Sequence, residues 1–190
     1  LLKTLPGDIG LSASNTLVSR IIRWFGRLQT GSADRSHTFA CIGDDQVLEA
    51  LIRVKINDIE KYEKKDVELW RLPLSDGDRL NFKRGMLKLA GDSYGWFKIP
   101  LHALDSVASI ISRRFGRKKP VFFFTSKFSL SSFKDCSQLI TYGLQKFTFY
   151  RLLDENHSEV PWRIVSPDFL SDLLHLAHNN AQLLYKQKAF

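Results

Sequence analysis

His37 and Glu49 are the first residues whose types and spacing could do chemistry, because each interrupts an otherwise apolar run. The two runs lie in SHTFACIGDDQVLEAL, residues 36–51, and the GDD segment between them predicts a β-hairpin. Side chains alternate across a strand, so one face of this hairpin carries His37, Phe39, Cys41, Val47, Glu49 and Leu51. His37 and Glu49 become diagonal neighbours, roughly 7–8 Å apart at Cα and within reach through their side chains.

A carboxylate beside an imidazole forms half of a nucleophilic triad. Burying Glu49 on an apolar face is costly unless a partner neutralises it, and His37 is a suitable partner. The carboxylate would fix the tautomer of the imidazole and raise the basicity of its second ring nitrogen. The alternative is structural: His37 begins an edge strand and contacts water, while Glu49 reaches solvent at the rim.

Cys136 is the candidate nucleophile. It opens a helical pattern that continues through Leu139, Ile140, Gly143, Leu144 and Phe147, so its side chain should point at the core. The helix dipole and a nearby imidazole would hold its thiol as thiolate, and free backbone amides could form part of an oxyanion site. We therefore expect its sulfur within about 4 Å of a His37 ring nitrogen. The alternative is an inert buried cysteine.

Cys41 is a weaker candidate for the same role. It lies on the strand of His37, four residues further on, which is roughly 13 Å in an extended chain. No hydrogen bond spans that distance, so we assign Cys41 to the core.

A sheet and several helices must position these residues. Strand patterns occur at residues 5–14, 36–51, 53–57, 67–74 and 120–128, and a charged helical turn follows the third of them. Helical patterns cover residues 15–28 with Ser14 or Asn15 as N-cap, 77–91, 101–114, 129–147 with Ser131 or Ser132 as N-cap, and 165–187 with Ser166 as N-cap and Pro167 first. Strands and helices are partly segregated, which favours an α+β fold with an antiparallel sheet. We expect a single domain over residues 1–190.

Composition narrows the function classes. The chain of 190 residues is 44% hydrophobic with a net charge of +8, and basic clusters lie at residues 19–27 and 112–120. Such clusters attract phosphate on nucleic acid, anionic lipid or cell-wall polymer, or they form a solvated cationic face. A stacking platform of interleaved aromatic residues is missing, so nucleic acid is not favoured.

The sequence predicts neither a cofactor nor a metal. It has no phosphate-binding or dinucleotide glycine pattern and no HExxH, and the pair His175 and His178 lacks a third ligand. No signal peptide or membrane-spanning run is visible, and two cysteines make a reducing compartment the default, with a role at the cell envelope left open.

The order of these residues resembles the circularly permuted papain-like thiol hydrolases. These are the permuted NlpC-type, YiiX-like group, related to the lecithin:retinol acyltransferase family, in which His and Glu precede a late Cys. The resemblance is carried by PGDIGLS (6–12), SHTFACIG, VLEA, residues 53–73, SYGWF (93–97), DCSQLI (135–140) and VSPDFL (165–170). It implies a permuted papain-like fold, an antiparallel sheet packed against helices with the nucleophile helix on one face.

The same resemblance implies the roles of the site residues. Cys136 would be the nucleophile, His37 the general base, Glu49 the residue that orients His37, and Tyr94 a group near the substrate that donates to the oxyanion. The expected function is cysteine hydrolysis or acyl transfer through a thioester, on membrane lipid acyl groups or cell-envelope peptide such as peptidoglycan. A non-catalytic cationic module that binds an anionic membrane or polymer surface is the alternative.

Overall fold

A computed structural model describes residues 3–14, 16–30, 34–50, 53–93, 98–115, 135–154, 156–161, 165–176 and 179–187. Six antiparallel strands form one sheet in the order β4-β3-β2-β1-β5-β6. The strands are β1 (Ile9–Ala13), β2 (His37–Gly43), β3 (Gln46–Ala50), β4 (Val54–Asp58), β5 (Asp66–Arg71) and β6 (Gln182–Gln187). The predicted α+β class with an antiparallel sheet is confirmed.

In the part of the chain that the structure describes, five α-helices and a 3-10 turn accompany the sheet. The helices are α1 (Leu17–Thr30), α2 (Asp76–Leu87), α3 (Lys98–Arg114), α4 (Cys136–Phe147) and α5 (Pro167–His175), and the 3-10 turn is Ile59–Tyr62. Ser166 accepts a hydrogen bond from Phe169 N and caps α5, as predicted. The predicted strand at residues 120–128 lies outside the described residues.

The sheet has an apolar cluster on each face. The larger cluster joins alternate strand residues such as Leu11, Ala40 and Leu48 to side chains of α2, α4 and α5. The smaller cluster contains Phe39, Cys41, Val47, Tyr62, Val67 and Leu69. Because β2 contributes to both clusters in alternation, successive residues of that strand point to opposite layers.

Asp8 holds the start of β1 to the end of β5. Its fully buried carboxylate lies 2.7 Å from Arg71 Nη2 and 3.4 Å from Arg79 Nη1. It also accepts a hydrogen bond from Leu5 N at 2.9 Å. The PGD segment and the arginine that ends β5 therefore form one buried ion-pair network, which fixes two neighbouring strands of the sheet.

The start of α1 and the end of α5 differ from prediction. Thr16, rather than Ser14 or Asn15, caps α1, because its hydroxyl accepts a hydrogen bond from Ser19 N at 3.3 Å. The helix predicted over residues 165–187 ends at His175, and β6 follows it along the edge of β5. Asn179 closes the helix, since its side chain donates to Leu173 O at 2.7 Å and accepts from Leu153 N at 3.0 Å.

The helices α1 and α3 pack chiefly on one another. Within the described residues, no helix has the length and apolar character needed to cross a membrane.

Asp168 ties α5 to the segment that leads into β2. Its buried carboxylate accepts a hydrogen bond from Arg35 N at 2.8 Å. The Arg35 guanidinium in turn lies 2.6 Å from Asp66 and 2.8 Å from Glu68, both on β5. Burial raises the pKa of Asp168 to about 7, and the charge of Asp172 adds to the rise.

This raised pKa predicts a pH-dependent contribution to stability. Between about pH 4 and pH 7 the folded chain holds a proton on Asp168 that the unfolded chain has lost, so the free energy of unfolding falls as pH rises. Asp168→Asn removes this dependence, because the amide keeps an acceptor but has no charge. Relative to wild type, the variant should become more stable as pH rises from about pH 5 to about pH 8. The gain is about 1.4 kcal/mol for each unit of the pKa shift that falls within this pH range.

Urea unfolding followed by circular dichroism at both pH values measures the difference. Asp58→Asn is the matched control, because Asp58 is exposed at the end of β4. A constant stability difference between Asp168→Asn and wild type across the window would contradict the prediction.

Candidate active site around His37, Glu49 and Cys136

The hairpin of β2 and β3 has the predicted register through its centre. Phe39 lies opposite Glu49, and Cys41 lies opposite Val47. A GDD loop would pair Ile42 with Gln46, but the register shifts after Cys41 and Gly43 takes the place opposite Gln46. The turn is the pair Asp44 and Asp45, both with φ 55°, so Gly43, the first residue of the predicted GDD loop, joins β2.

His37 and Glu49 form a direct contact across this hairpin. His37 Nε2 lies 2.7 Å from Glu49 Oε2, which confirms that the two side chains reach each other. The Glu49 side chain is 1% exposed and that of His37 is 17% exposed. The alternative in which Glu49 reaches solvent at the rim is therefore wrong.

Glu49 has three further hydrogen-bond partners. Tyr62 donates its hydroxyl proton to Oε2 at 2.7 Å, while Asn57 Nδ2 donates to Oε1 at 2.8 Å. Lys61 Nζ forms an ion pair with the same Oε1. All three donors come from β4 and the 3-10 turn behind it, so each carboxylate oxygen has two partners and the buried charge is compensated.

Sequence reasoning did not find the three donors, although one signal was present. Tyr62 is the only aromatic residue in the charged run DIEKYEKKD, and it is buried. Its ring stacks on Phe39 with centroids 4.0 Å apart. Gly10 lies opposite Phe39 on β1, and a side chain there would overlap the Phe39 ring. An aromatic residue alone in a charged turn thus marks the place where the turn enters the core.

The contact with Glu49 determines which ring nitrogen of His37 can act as a base. An ionised carboxylate can only accept, so Nε2 carries the proton in the neutral imidazole. The lone pair is then on Nδ1, the nitrogen that can accept a proton from a thiol.

Cys136 is the first residue of α4, as the candidate nucleophile should be. Asp135 is the N-cap instead of the predicted Ser131 or Ser132, which lie outside the described residues. The Asp135 carboxylate accepts a hydrogen bond from Gln138 N at 2.8 Å. The Ser137 hydroxyl donates to Val165 O at 2.6 Å, which joins the start of α4 to the segment before α5.

Cys136 is 3% exposed and belongs to the larger apolar cluster. The alternation of β2 directs His37 to the same side as Phe39, which is in the smaller cluster. Burial raises the pKa of the Tyr62 phenol, which keeps it protonated as a donor to Glu49. The approach of the Cys136 sulfur to His37 Nδ1 stays a prediction.

Cys41 lies in the core, as predicted. It is fully buried among the side chains of the smaller cluster. Burial raises the pKa of its thiol, and the charge of Asp8 adds to the rise, so a thiolate there is strongly disfavoured. Both cysteines are free thiols.

The remaining candidates are Tyr94, His175 and His178. Tyr94 and His178 lie outside the described residues. His175 is at the end of α5, where its Nδ1 donates to Ser171 O at 2.8 Å and its ring packs against Trp70. Across the described ranges, no three His, Cys, Asp or Glu side chains are grouped so that they could hold a metal ion.

A cavity of about 560 Å³ lies on the side of the smaller cluster, next to Tyr62, whose hydroxyl donates to Glu49. Phe39 and Tyr62, which stack on each other, form part of its wall. The remaining wall residues are Thr4, Ile59, Glu63, Val67, Leu69, Tyr185 and Gln187. Most of this lining is apolar, so the cavity suits an uncharged group.

Comparison with solved structures shows the fold of this chain in another protein. The crystal structure of the metalloprotein YiiX from Escherichia coli O157:H7 superposes with a TM-score of 0.63, over 98% of this chain and 99% of that chain. The two sequences are 17% identical, so the likeness shows a YiiX-like fold and no more. No family model and no curated protein matches the sequence.

Glu49→Gln tests whether the buried carboxylate controls the thiol through His37. The amide keeps the shape but removes the charge that stabilises an imidazolium, so alkylation of Cys136 should shift to higher pH. The variant should also lose roughly 1–3 kcal/mol of stability, since Lys61 and one other donor lose an acceptor. Iodoacetamide labelling of Cys136 across a pH series, read by mass spectrometry, measures the shift.

Glu63→Gln is the control, because Glu63 is an exposed glutamate beside the same turn. Its labelling profile should match wild type. If the Glu49→Gln profile also matches wild type in a folded protein, Glu49 has only a structural role.

Proposed function

We propose that this protein is a cysteine hydrolase or acyltransferase of the permuted papain-like type, acting through a thioester acyl-enzyme. The buried contact between His37 Nε2 and Glu49 Oε2 carries the proposal, because it leaves Nδ1 of His37 as an oriented base. The order of His, Glu and Cys along the chain and the position of Cys136 at a helix start support it.

The chemistry follows from these three side chains. His37 Nδ1 takes the proton of the Cys136 thiol, and the sulfur attacks the carbonyl carbon of an amide or ester. The tetrahedral intermediate collapses as the imidazolium protonates the leaving amine or alcohol, which leaves a thioester on Cys136. Water or another acceptor, deprotonated by His37, then attacks the thioester and releases the thiol. Throughout, Glu49 stabilises the positive charge on the imidazole.

The oxyanion would be held at the start of α4. Backbone N–H groups in the first turn of a helix have no partner within the helix. Asp135 accepts the N–H of Gln138, so the N–H groups of Cys136 and Ser137 are the ones nearest the sulfur that are offered to an oxyanion. From the family resemblance, Tyr94 is a further donor.

The substrate class that we propose is a membrane lipid acyl group or a cell-envelope peptide. The apolar cavity of about 560 Å³ beside Phe39 and Tyr62 favours the lipid, because its walls offer few charged groups to a peptide.

The YiiX protein is described as a metalloprotein, so we asked whether a metal fits this site. Both oxygens of Glu49 are already occupied by hydrogen-bond donors and by the Lys61 ammonium, which leaves no lone pair directed at a cation. Among the described residues no group of three suitable side chains exists. A typical protein metal site has three or more such ligands, so the described residues do not fit one and the mechanism contains no metal step.

A non-catalytic module that binds an anionic surface is the second candidate, and the exposed arginines of α1 favour it. Thiol labelling separates the two functions. Fast, pH-dependent alkylation of Cys136 in the folded chain supports the enzyme. Labelling no faster than that of the unfolded chain supports the module.

Substitution of each cysteine tests the assignment of the nucleophile. Cys136→Ser should lower turnover by several orders of magnitude while substrate binding is kept. Cys41→Ser should reduce stability only, because it buries a hydroxyl on an apolar face. The assay is incubation with phospholipids and with peptidoglycan fragments, followed by mass spectrometry of the product and of acylated Cys136.

The assignment is reversed if Cys41→Ser folds but loses activity while Cys136→Ser stays active. Failure of wild type to form an adduct or product with either substrate class would count against the proposed substrates, whereas slow labelling of Cys136 would count against the enzyme itself.

A further inference from the structure

We propose that the helical pair α1 and α3 docks this protein on an anionic membrane surface. This outward surface is separate from the thiol site, and docking does not require the thiol chemistry. We call this surface the docking face, and it consists of Arg20, Ile21, Trp24 and Arg27 on α1 and Leu104, Val107, Ile110, Ile111 and Phe115 on or directly after α3.

The α3 part of the docking face is an exposed apolar stripe. Leu104, Val107 and Ile111 recur at helical spacing on one side, and they are 48%, 51% and 53% exposed. Phe115 follows the helix and is 86% exposed. The single acidic residue of α3, Asp105, is buried, so no carboxylate interrupts the stripe. Contiguous apolar surface of this kind marks an interaction site.

The α1 part is cationic and carries an indole. Arg20, Arg23 and Arg27 recur at helical spacing, and α1 contains no acidic residue. These arginines, with Ile21 and Trp24, line a shallow groove of about 450 Å³. Trp24 is 57% exposed. Arginine and tryptophan on one helix side suit the headgroup level of a bilayer, where the indole sits at the interface and the guanidinium contacts phosphate.

A membrane fits both parts together better than a soluble polyanion does. Because α1 and α3 pack on one another, cationic and apolar side chains belong to one rigid pair. A polyanion would engage the arginines alone and leave the α3 stripe in water. An anionic bilayer attracts the arginines, each of which strengthens binding by about fivefold near the surface, and takes up the apolar side chains.

Vesicle cosedimentation tests the proposal with the full chain. We expect binding to vesicles of equal parts phosphatidylcholine and phosphatidylglycerol, little binding to phosphatidylcholine alone, and weaker binding as salt is raised. Tryptophan emission should shift to the blue with the anionic vesicles, and Trp24→Phe should reduce that shift. Cys136→Ser should bind as wild type does, because the thiol is not part of the docking face.

Three variants separate the parts of the docking face. Val107→Glu with Ile111→Glu should abolish binding, and Arg20→Glu with Arg27→Glu should weaken it by at least about 25-fold. Leu80→Glu is the matched control, because Leu80 is 47% exposed on α2, outside the docking face. It should bind as wild type does. Circular dichroism and thermal unfolding confirm that each variant is folded.

The proposal is overturned if wild type binds neither vesicle type, which would leave the docking face to a protein partner. It is also overturned if folded Val107→Glu/Ile111→Glu keeps full affinity. Binding would then come from the positive charge alone, which any polyanion would attract. Equal loss of binding in Leu80→Glu would likewise exclude a site on α1 and α3.

Discussion

The structure depends on one buried negative charge, the carboxylate of Glu49 in the second strand of the hairpin. A bare carboxylate at 1% exposure would cost several kcal/mol or more, so its four donors must all be brought to it. His37 comes from β2, Asn57 from β4, and Lys61 and Tyr62 from the 3-10 turn. The requirement fixes the register of three strands and the position of the turn at once.

The rest of the fold supports this centre from two sides. On one side, the Phe39 ring packs against Gly10 and stacks on Tyr62, which keeps the phenol at the carboxylate. On the other side, α4 packs against β2 and β3 through the larger apolar cluster. The hydrogen bond from the Ser137 hydroxyl to Val165 O fixes the start of that helix. Cys136 therefore has a fixed position, and the proposed chemistry needs its sulfur to reach Nδ1 of His37 at the start of β2.

The sequence alone predicted the features that depend on local patterns, such as strand alternation and helix capping. The alternation of β2 and β3 gave the His37–Glu49 contact, and the Ser166-Pro167 pair gave the start of α5. The three other donors to Glu49 could not be predicted, because they depend on the pairing of β4 with β3 and on the fold of the turn behind it. The strand β6 was missed because its sequence continues a helical pattern, whereas the helix is closed by Asn179, which contacts both Leu173 O and the distant Leu153 N. Sequence periodicity also does not give the distance between the start of a helix and the start of a strand. The distance from Cys136 to His37 therefore could not be derived from it.

A crystal structure of the protein with Cys136 unmodified tests the central claim most directly, through the distance from Cys136 Sγ to His37 Nδ1. The proposed mechanism requires about 4 Å or less, with His37 Nε2 still in contact with Glu49. A separation beyond about 8 Å, with no hinge between α4 and β2, would contradict it. Glu49 would then be a structural carboxylate that only holds the hairpin to its neighbouring turn.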